Sequence, residues 1–319
     1  MGNVNALPLF FLVVMGAYAS QQPPPAAPDR DSEPFRISMD VALVVLHATV
    51  IDRQGGFVSD LGQQDFEVLE DGKPQQIRVF TNEDVPVTVG LVVDHSTSMR
   101  PKLNEVTVAA RAFVQSSNRE DEMFVVNFNE CVSLGLPVNI RFTDSVAQLE
   151  TAIAAAPASG QTALYDAIAK ALDELQAGSR DKKVLIVVSD GGDNASVLSQ
   201  AQVMKLAGQS SAVIYTIGIF DEDDGDQNPG MLRRLAQVTG GEAFLVGQVS
   251  EIVAISKRIA RDIRHQYTIG YAPANVTRDG TSHAIRVHAS MKGHERLSVR
   301  TRTSYVSGGE PHFDEKGAK

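Results

Sequence analysis

Val85-Pro86-Val87-Thr88-Val89-Gly90-Leu91-Val92-Val93-Asp94-His95-Ser96-Thr97-Ser98 is the stretch on which the fold turns. Residues 85–93 form an apolar run, the pattern of a parallel strand covered on both faces. The run ends on a carboxylate, Asp94, and two hydroxyls, Ser96 and Ser98, follow at alternate positions. Residues 104–118 then place Val106, Ala110 and Phe113 at helical spacing. A strand that ends in polar groups ahead of a helix is where open α/β sheets bind ligands.

The alternation continues downstream. Residues 123–128 read as a second strand and 184–188 as a third, fully apolar one. Between them, 163–176 read as an amphipathic helix with Leu164, Ile168, Leu172 and Leu175 on one face. Residues 212–219 and 243–246 are two further strands, each preceded by a helical stretch. Together they predict an α/β fold with a Rossmann-like, open, mostly parallel sheet and helices on both faces.

The flanks lack the helical period. Upstream, residues 39–51 are dense in β-branched and aliphatic residues, and Gly55-Gly56 marks a turn. Residues 65–69 and 76–80 flank Glu70-Asp71-Gly72-Lys73, whose Asp-Gly pair signals a hairpin. Downstream, 266–271, 282–291 and 296–303 read as antiparallel strands. Fifty residues of strand cannot bury much surface alone. Residues 35–84 and 266–305 are therefore expected to pair into one small antiparallel β-sandwich, with the α/β unit, residues 85–265, inserted between them.

The ends carry other signals. Residues 1–20 read as a signal peptide: 6–19 are apolar or small, Ala17-Tyr18-Ala19 resembles a cleavage site, and the run is short for a bilayer span. Residues 21–34, with Pro23-Pro24-Pro25, read as an extended linker, and 306–319 as a disordered tail. The expectation is an exported protein, periplasmic, cell-surface or secreted, with no transmembrane span in the mature chain.

Composition narrows the function. The 319 residues suit two domains, and the net charge of −10 gives little of the phosphate attraction that nucleic-acid binding needs. Cys131 is the sole cysteine, so no internal disulfide forms; it is expected to be a small packed residue. Acidity suits a cation site, because carboxylates are the hard oxygen ligands of Mg²⁺ and Ca²⁺.

Two further segments fall on the same edge as Asp94. Ser159-Gly160-Gln161-Thr162 precedes the amphipathic helix, so Thr162 is either its N-cap or a hydroxyl ligand. Ser189-Asp190-Gly191-Gly192 ends the other apolar strand, where Asp190-Gly191 is either a plain turn or a second carboxylate for the site. Helix capping accounts equally for Asp94 or Ser98 taken singly, but not for three such residues on one loop. At this point the chain resembles the von Willebrand factor type A domain with a metal-ion-dependent adhesion site. That family's motif is D-x-S-x-S, then a Thr, then an Asp, and it maps onto Asp94, Ser96, Ser98, Thr162 and Asp190. The flanking strands, with Asp65-Phe66-Glu67-Val68 and Gln266-Tyr267, resemble a bacterial subgroup of related secreted proteins.

The resemblance implies a divalent cation on three loops and a protein partner whose Asp or Glu completes its coordination. Oxygen ligands favour Mg²⁺, with Mn²⁺ or Ca²⁺ also accommodated. His95, Met99, Arg100, Gln161 and Asp193 are the expected partner-binding rim. The acidic run 221–226 reads as a solvated loop. Catalysis has little support: G-x-S-x-G, P-loop, H-E-x-x-H and C-x-x-C motifs are all missing from the sequence, so no enzyme activity is expected. An alternative to metal-mediated recognition is a scaffold in which the sandwich binds and the metal only stabilises the α/β part.

Overall fold

A computed structural model describes residues 43–220, 226–273, 280–291, 293 and 296–307. The signal-peptide and linker readings, most of the acidic run and the tail from residue 308 lie outside the described residues. The chain opens with β1 (Val44–Ile51), β2 (Phe66–Glu70), β3 (Lys73–Gln75) and β4 (Ile77–Thr81). The α/β part runs β5 (Val87–Asp94), α1 (Leu103–Ser116), β6 (Glu122–Phe128), β7 (Val132–Leu134), α2 (Val146–Ile153), α3 (Leu164–Leu175), β8 (Lys182–Ser189), α4 (Gln200–Gln209), β9 (Val213–Ile219), α5 (Pro229–Thr239), β10 (Ala243–Val246) and α6 (Ile252–Arg264). It closes with β11 (Tyr267–Tyr271), β12 (Ser282–Ala289), β13 (Ser298–Arg300) and β14 (Ser304–Val306).

The six-stranded sheet has the order β10-β9-β8-β5-β6-β7, parallel except for the edge strand β7. Every residue of β5 and β9 is buried, which requires cover on both faces of the sheet. The helices sort into two packed groups, α1 with α2 and α6, and α3 with α4 and α5. On α3 the buried face is Leu164, Ala167, Ile168, Ala171, Leu172 and Leu175, the expected stripe widened by two alanines. Each fully buried aliphatic side chain contributes about 1.5–3 kcal/mol.

Connectivity fixes where a ligand can sit. From β5 the chain moves outward through β6 and β7, then returns to the other side of β5 as β8 and continues to β9 and β10. The order therefore reverses between β5 and β8, and their carboxyl ends diverge at that switch point. Val93 is level with Val188, so Asp94 and Ser189 end neighbouring strands side by side.

The outer strands form two four-stranded antiparallel sheets, β13-β1-β11-β4 and β14-β12-β2-β3. Between them lies a second core, with Leu46, Val50, Phe66, Val68, Tyr267, Ile269, Ile285 and Val287. Phe80 and Tyr267 of one sheet meet Phe66 of the other, with ring centroids 5.4 and 4.9 Å from Phe66. Two details differ from the sequence pattern. The Asp71-Gly72 hairpin pairs β2 only with the three-residue β3, after which the chain changes sheets to become β4 beside β11. Residues 296–303 do not make one strand either: β13 joins β1, and the chain crosses to place β14 beside β12. Both crossings put Phe80 and Val299 against the same apolar core.

The α/β part and the sandwich meet through a buried polar network. Asp262, 1% exposed at the end of α6, accepts from Thr49 Oγ1 at 2.7 Å and Tyr215 OH at 2.9 Å, and pairs with Arg300. Gln266 Nε2 donates to Tyr215 OH at 3.0 Å, and Arg300 also pairs with Glu242. Lys182 Nζ donates to the carbonyl of Ile263. No helix among the described residues is long and apolar enough to cross a membrane.

Candidate metal centre

Asp94 is the last residue of β5 and is fully buried. Its Oδ1 accepts the backbone N–H of Ser96 at 2.8 Å, which folds the chain back as soon as the strand ends. Its Oδ2 accepts the Ser189 hydroxyl at 2.6 Å from the end of β8. Asp190 repeats the device one strand over. Its Oδ1 accepts Gly192 N–H at 3.0 Å, and its Oδ2 accepts the Ser98 hydroxyl at 2.6 Å. Ser96 Oγ lies 3.2 Å from Ser98 Oγ. Asp94, Ser96, Ser98 and Asp190 are thus brought together on one sheet edge.

Thr162 reaches the same edge through its backbone. Its N–H donates to Asn194 Oδ1 at 2.9 Å, and its carbonyl accepts from the N–H groups of Asn194 and Ala195, both at 3.0 Å. The first loop is tied to the second in turn: Thr97 N–H and Oγ1 donate to the Gly160 carbonyl at 3.3 and 3.2 Å, and Ser159 N–H donates to the His95 carbonyl at 2.9 Å. Two glycines make the turns. Gly160 has φ +85° beneath the Glu130 carboxylate, and Gly191 has φ +83° with the Asn228 carbonyl 2.5 Å from where a Cβ would stand.

The capping explanations for these residues fail on inspection. α3 starts after Ala163, and its first N–H groups go to Asp193 Oδ1 and Ser196 Oγ, so Thr162 is not its N-cap. The Thr162 hydroxyl makes no hydrogen bond among the described residues. Ser98 caps nothing either, because its hydroxyl is on Asp190. The donor set is three hydroxyls and two carboxylates in a largely buried recess, which suits a hard divalent cation. Burial raises the Asp94 carboxyl to about 6, against the hydrogen bonds from Ser189 and Ser96 that lower it; the nearby Asp190 adds to the rise. A carboxylate in that position gains from a bound cation as a counter-charge.

The expected rim divides. Arg100 and Gln161 are exposed: Arg100 Nε donates to the Ala158 carbonyl at 2.8 Å, and Gln161 N–H to Glu130 Oε2 at 2.8 Å. Asp193 is half-buried and spends Oδ1 on Tyr165 N–H and the Ser196 hydroxyl. Met99 and His95 are buried, at 0% and 1% exposure, and present no surface to a partner. Met99 lies in a 3₁₀ turn (Thr97–Lys102) and packs into the α/β core. The His95 ring turns inward, with Nε2 3.2 Å from Asn127 Oδ1, and burial lowers its pKa. Cys131 is exposed rather than packed, because Asn129 Oδ1 accepts Cys131 N–H and turns the β6–β7 connection outward.

Two residues outside the five-residue pattern support it: Ser189 holds Asp94, and Asn194 ties the Asp190 loop to the Thr162 loop. Ser189 had a signal: it is the first polar residue after the apolar run of β8.

The fold is an open, mostly parallel α/β sheet whose edge at the switch point gathers hydroxyls and carboxylates from three loops. The von Willebrand factor type A domain model matches residues 88–258, more than half of the 319-residue chain. The chain belongs to that family, whose domains serve metal-dependent adhesion and interaction. Among solved structures, a von Willebrand factor type A protein from Catenulispora acidiphila is similar at 14% identity and TM-score 0.50, over 83% of this chain and 72% of that one. That likeness is one of fold. The von Willebrand factor domain of the type V pili tip protein Mfa5 from Porphyromonas gingivalis aligns at 15% identity and TM-score 0.47, over 56% of this chain and 95% of that one. Proximal thread matrix protein 1 from the mussel byssus, in a structure with a zinc-occupied MIDAS motif, aligns at 18% identity and TM-score 0.46, over 56% of this chain and 48% of that one. A search of curated proteins found no match.

Proposed function

We propose that Asp94, Ser96, Ser98, Thr162 and Asp190 hold a Mg²⁺-type cation, and that the protein binds a protein ligand whose Asp or Glu carboxylate completes the coordination. The observation that carries this reading is the set of hydrogen bonds that cross-tie the three loops and leave the Thr162 hydroxyl unspent. A bound cation would supply residual positive charge at an open coordination position, because three of its five protein ligands are neutral hydroxyls. The residues around it set the approach. Arg100 and Gln161 form the exposed border, and Asp193 and Ser196 hold the Asp190 loop against α3.

Binding is favoured over hydrolysis by His95. The one histidine in the motif segment is buried against Asn127, so it is not placed to take a proton from a metal-bound water. The apolar segment at residues 6–19 supports export, where a carboxylate-bearing partner on another cell-surface or secreted protein would be met.

Calorimetry with Mg²⁺ and Mn²⁺, on the full chain and on Thr162→Ala, tests the cation. An array of Asp- and Glu-containing peptides probed with the metal-loaded and EDTA-treated protein tests the ligand. Capture is expected only with metal, and is expected to disappear when the captured peptide's acid is changed to its amide. Metal-independent capture would instead favour the scaffold reading, in which the sandwich does the binding.

A further inference from the structure

The edge that carries the five-residue motif also presents two fixed groups that the motif does not use. β5 lies between β6 and β8 in the sheet, and neighbouring strands stand about 4.8 Å apart. The residues after β6 and those after β8 therefore flank the Asp94–Ser98 loop on its two sides. After β6 comes Glu130, which is exposed. Its Oε2 accepts Gln161 N–H at 2.8 Å, and its carboxylate covers Gly160 so closely that a Cβ there would collide with it. The carboxylate is thus held one residue from Thr162. Among the described residues it makes no ion pair, and Oε1 accepts nothing.

After β8 the loop runs from Asp190 to Val197, whose side chain is 92% exposed. One exposed apolar side chain is ordinary on a surface. This one stands on a loop that is tied down along its length. The N–H groups of Asn194 and Ala195 donate to the Thr162 carbonyl, both at 3.0 Å. Those of Val197 and Leu198 donate to the Asp166 carboxylate at 2.8 and 3.0 Å. Turning the valine inward would break these bonds. It lies three residues past Asn194, and so within about 10 Å of the Thr162 loop.

Charge decides what can approach. Asp94 and Asp190 offset a divalent ion, so the rim sets the sign of the field. Glu130, Asp193 and Asp226 outnumber Arg100 on that rim; Asp226 Oδ2 faces Asn194 Nδ2 at 3.4 Å. A ligand rich in acids is repelled there, although the group it offers to the cation is an acid.

We propose, resting on the metal reading above, that the ligand is an extended segment of a partner protein with one acid set between a basic and an apolar residue. The acid goes to the cation, the Lys or Arg pairs with Glu130, and the apolar side chain covers Val197. At about 3.3 Å per residue, both neighbours fall within three positions of the acid, on opposite sides of it.

The test uses the full chain loaded with Mn²⁺ and short Gly/Ser peptides that carry one Asp. Lys or Glu is placed on one side of the Asp and Leu or Ser on the other, at each of the three nearest positions and in both chain directions. Kd is measured by fluorescence anisotropy at low and high salt. Lys is expected to bind about fivefold tighter than Glu, an advantage that high salt shrinks, and Leu about tenfold tighter than Ser. Glu130→Gln keeps an acceptor for Gln161 N–H and loses the charge, and should cut the Lys advantage about threefold. Val197→Ser should remove the Leu advantage, and reads the footprint if Glu130→Gln disturbs the loop. Circular dichroism and calorimetric Mn²⁺ binding report that each variant keeps its folded edge. Mn²⁺ binding without capture of the Lys-Asp-Leu peptides, capture indifferent to the flanking residues, or preferences that both substitutions leave unaltered overturns the footprint and leaves the metal reading intact. Capture that persists in EDTA overturns both.

Discussion

The hydroxyl of Ser98 donates to Asp190 Oδ2 across 2.6 Å, closing the gap between loops that are 92 residues apart in sequence. Ser98→Ala removes that bond and one oxygen ligand together. Its predicted result is a metal-free protein less stable by about 1–3 kcal/mol, since the partly enclosed Asp190 oxygen loses its donor, and a cation affinity reduced as well. Urea denaturation with EDTA and calorimetry with Mn²⁺ read the two effects separately.

Thr162→Ala is expected to behave differently. Its backbone ties both loops, but its hydroxyl bonds to nothing among the described residues. The metal-free variant should melt within about 4 °C of wild type, because the buried side chain gives up one methyl group and no hydrogen bond, about 1 kcal/mol. Metal affinity should fall at least tenfold, by the order of about 1.4 kcal/mol that a lost ligand costs at minimum. An equal loss in metal-free stability would mean that the hydroxyl serves the fold and not the cation.

Ser189→Ala probes a residue outside the five-residue motif. It deletes the 2.6 Å bond to the buried Asp94 Oδ2 and the bond that Gly191 N–H makes to Ser189 Oγ at 3.0 Å. The expected cost is about 2 kcal/mol in metal-free protein, and saturating Mg²⁺ should recover part of it by mass action. Chemical denaturation at matched Mg²⁺ and EDTA measures both; a cost that Mg²⁺ leaves unaltered would detach Ser189 from the cation.

How much of this was legible in the sequence follows from which interactions are local. The strands β5 and β8 and the stripe on α3 show in periodicity, because burial acts on each residue by itself. The five motif residues were legible through the family pattern, which encodes a convergence that no single segment carries. The burial of His95 and Met99 was not, since it depends on distant contacts: the His95 ring meets Asn127, and Met99, in the 3₁₀ turn after β5, packs into the α/β core. The sheet exchange after β3 and after β13 was hidden too. Alternation marks the inward face of a strand, but it does not say which of two sheets the strand joins.

Arg300 and Arg141 give unequal expectations from similar ion pairs. Arg300, with a side chain 19% exposed, pairs with Asp262 at 1%, at the junction of α6, β1 and β13. Arg300→Met strands a buried carboxylate between the hydroxyls of Thr49 and Tyr215 and should cost about 3–5 kcal/mol. Arg141 is 58% exposed, and its buried partner Glu174 keeps Lys170 at 3.8 Å as a second cation, so Arg141→Met should cost much less. Parallel urea titrations compare the two, and similar losses would show that the junction adds nothing to the ion pair.

His47 gives the fold a defined acid sensitivity. It sits on β1 within reach of the Thr268 hydroxyl, 3.3 Å from Nδ1, and burial lowers its pKa from 6.5 to about 3, with Lys182 and Arg302 adding positive charge nearby. The unfolded chain takes up a proton at His47 below pH 6.5, while the folded chain resists it until about pH 3. The stability held above pH 6.5 is therefore lost progressively as pH falls through this window. Between pH 7 and pH 4.5 the site spans about two units of unequal protonation, worth about 2–3 kcal/mol. Carboxylates titrate in the same range, so the signal is the difference between wild type and His47→Gln, which keeps a polar partner for Thr268 and cannot take a proton. Urea midpoints measured from pH 7 to pH 4.5 should converge or cross in favour of the variant as pH falls. Curves that stay parallel would mean that His47 is protonated equally in both states and that its burial does not set the acid limit.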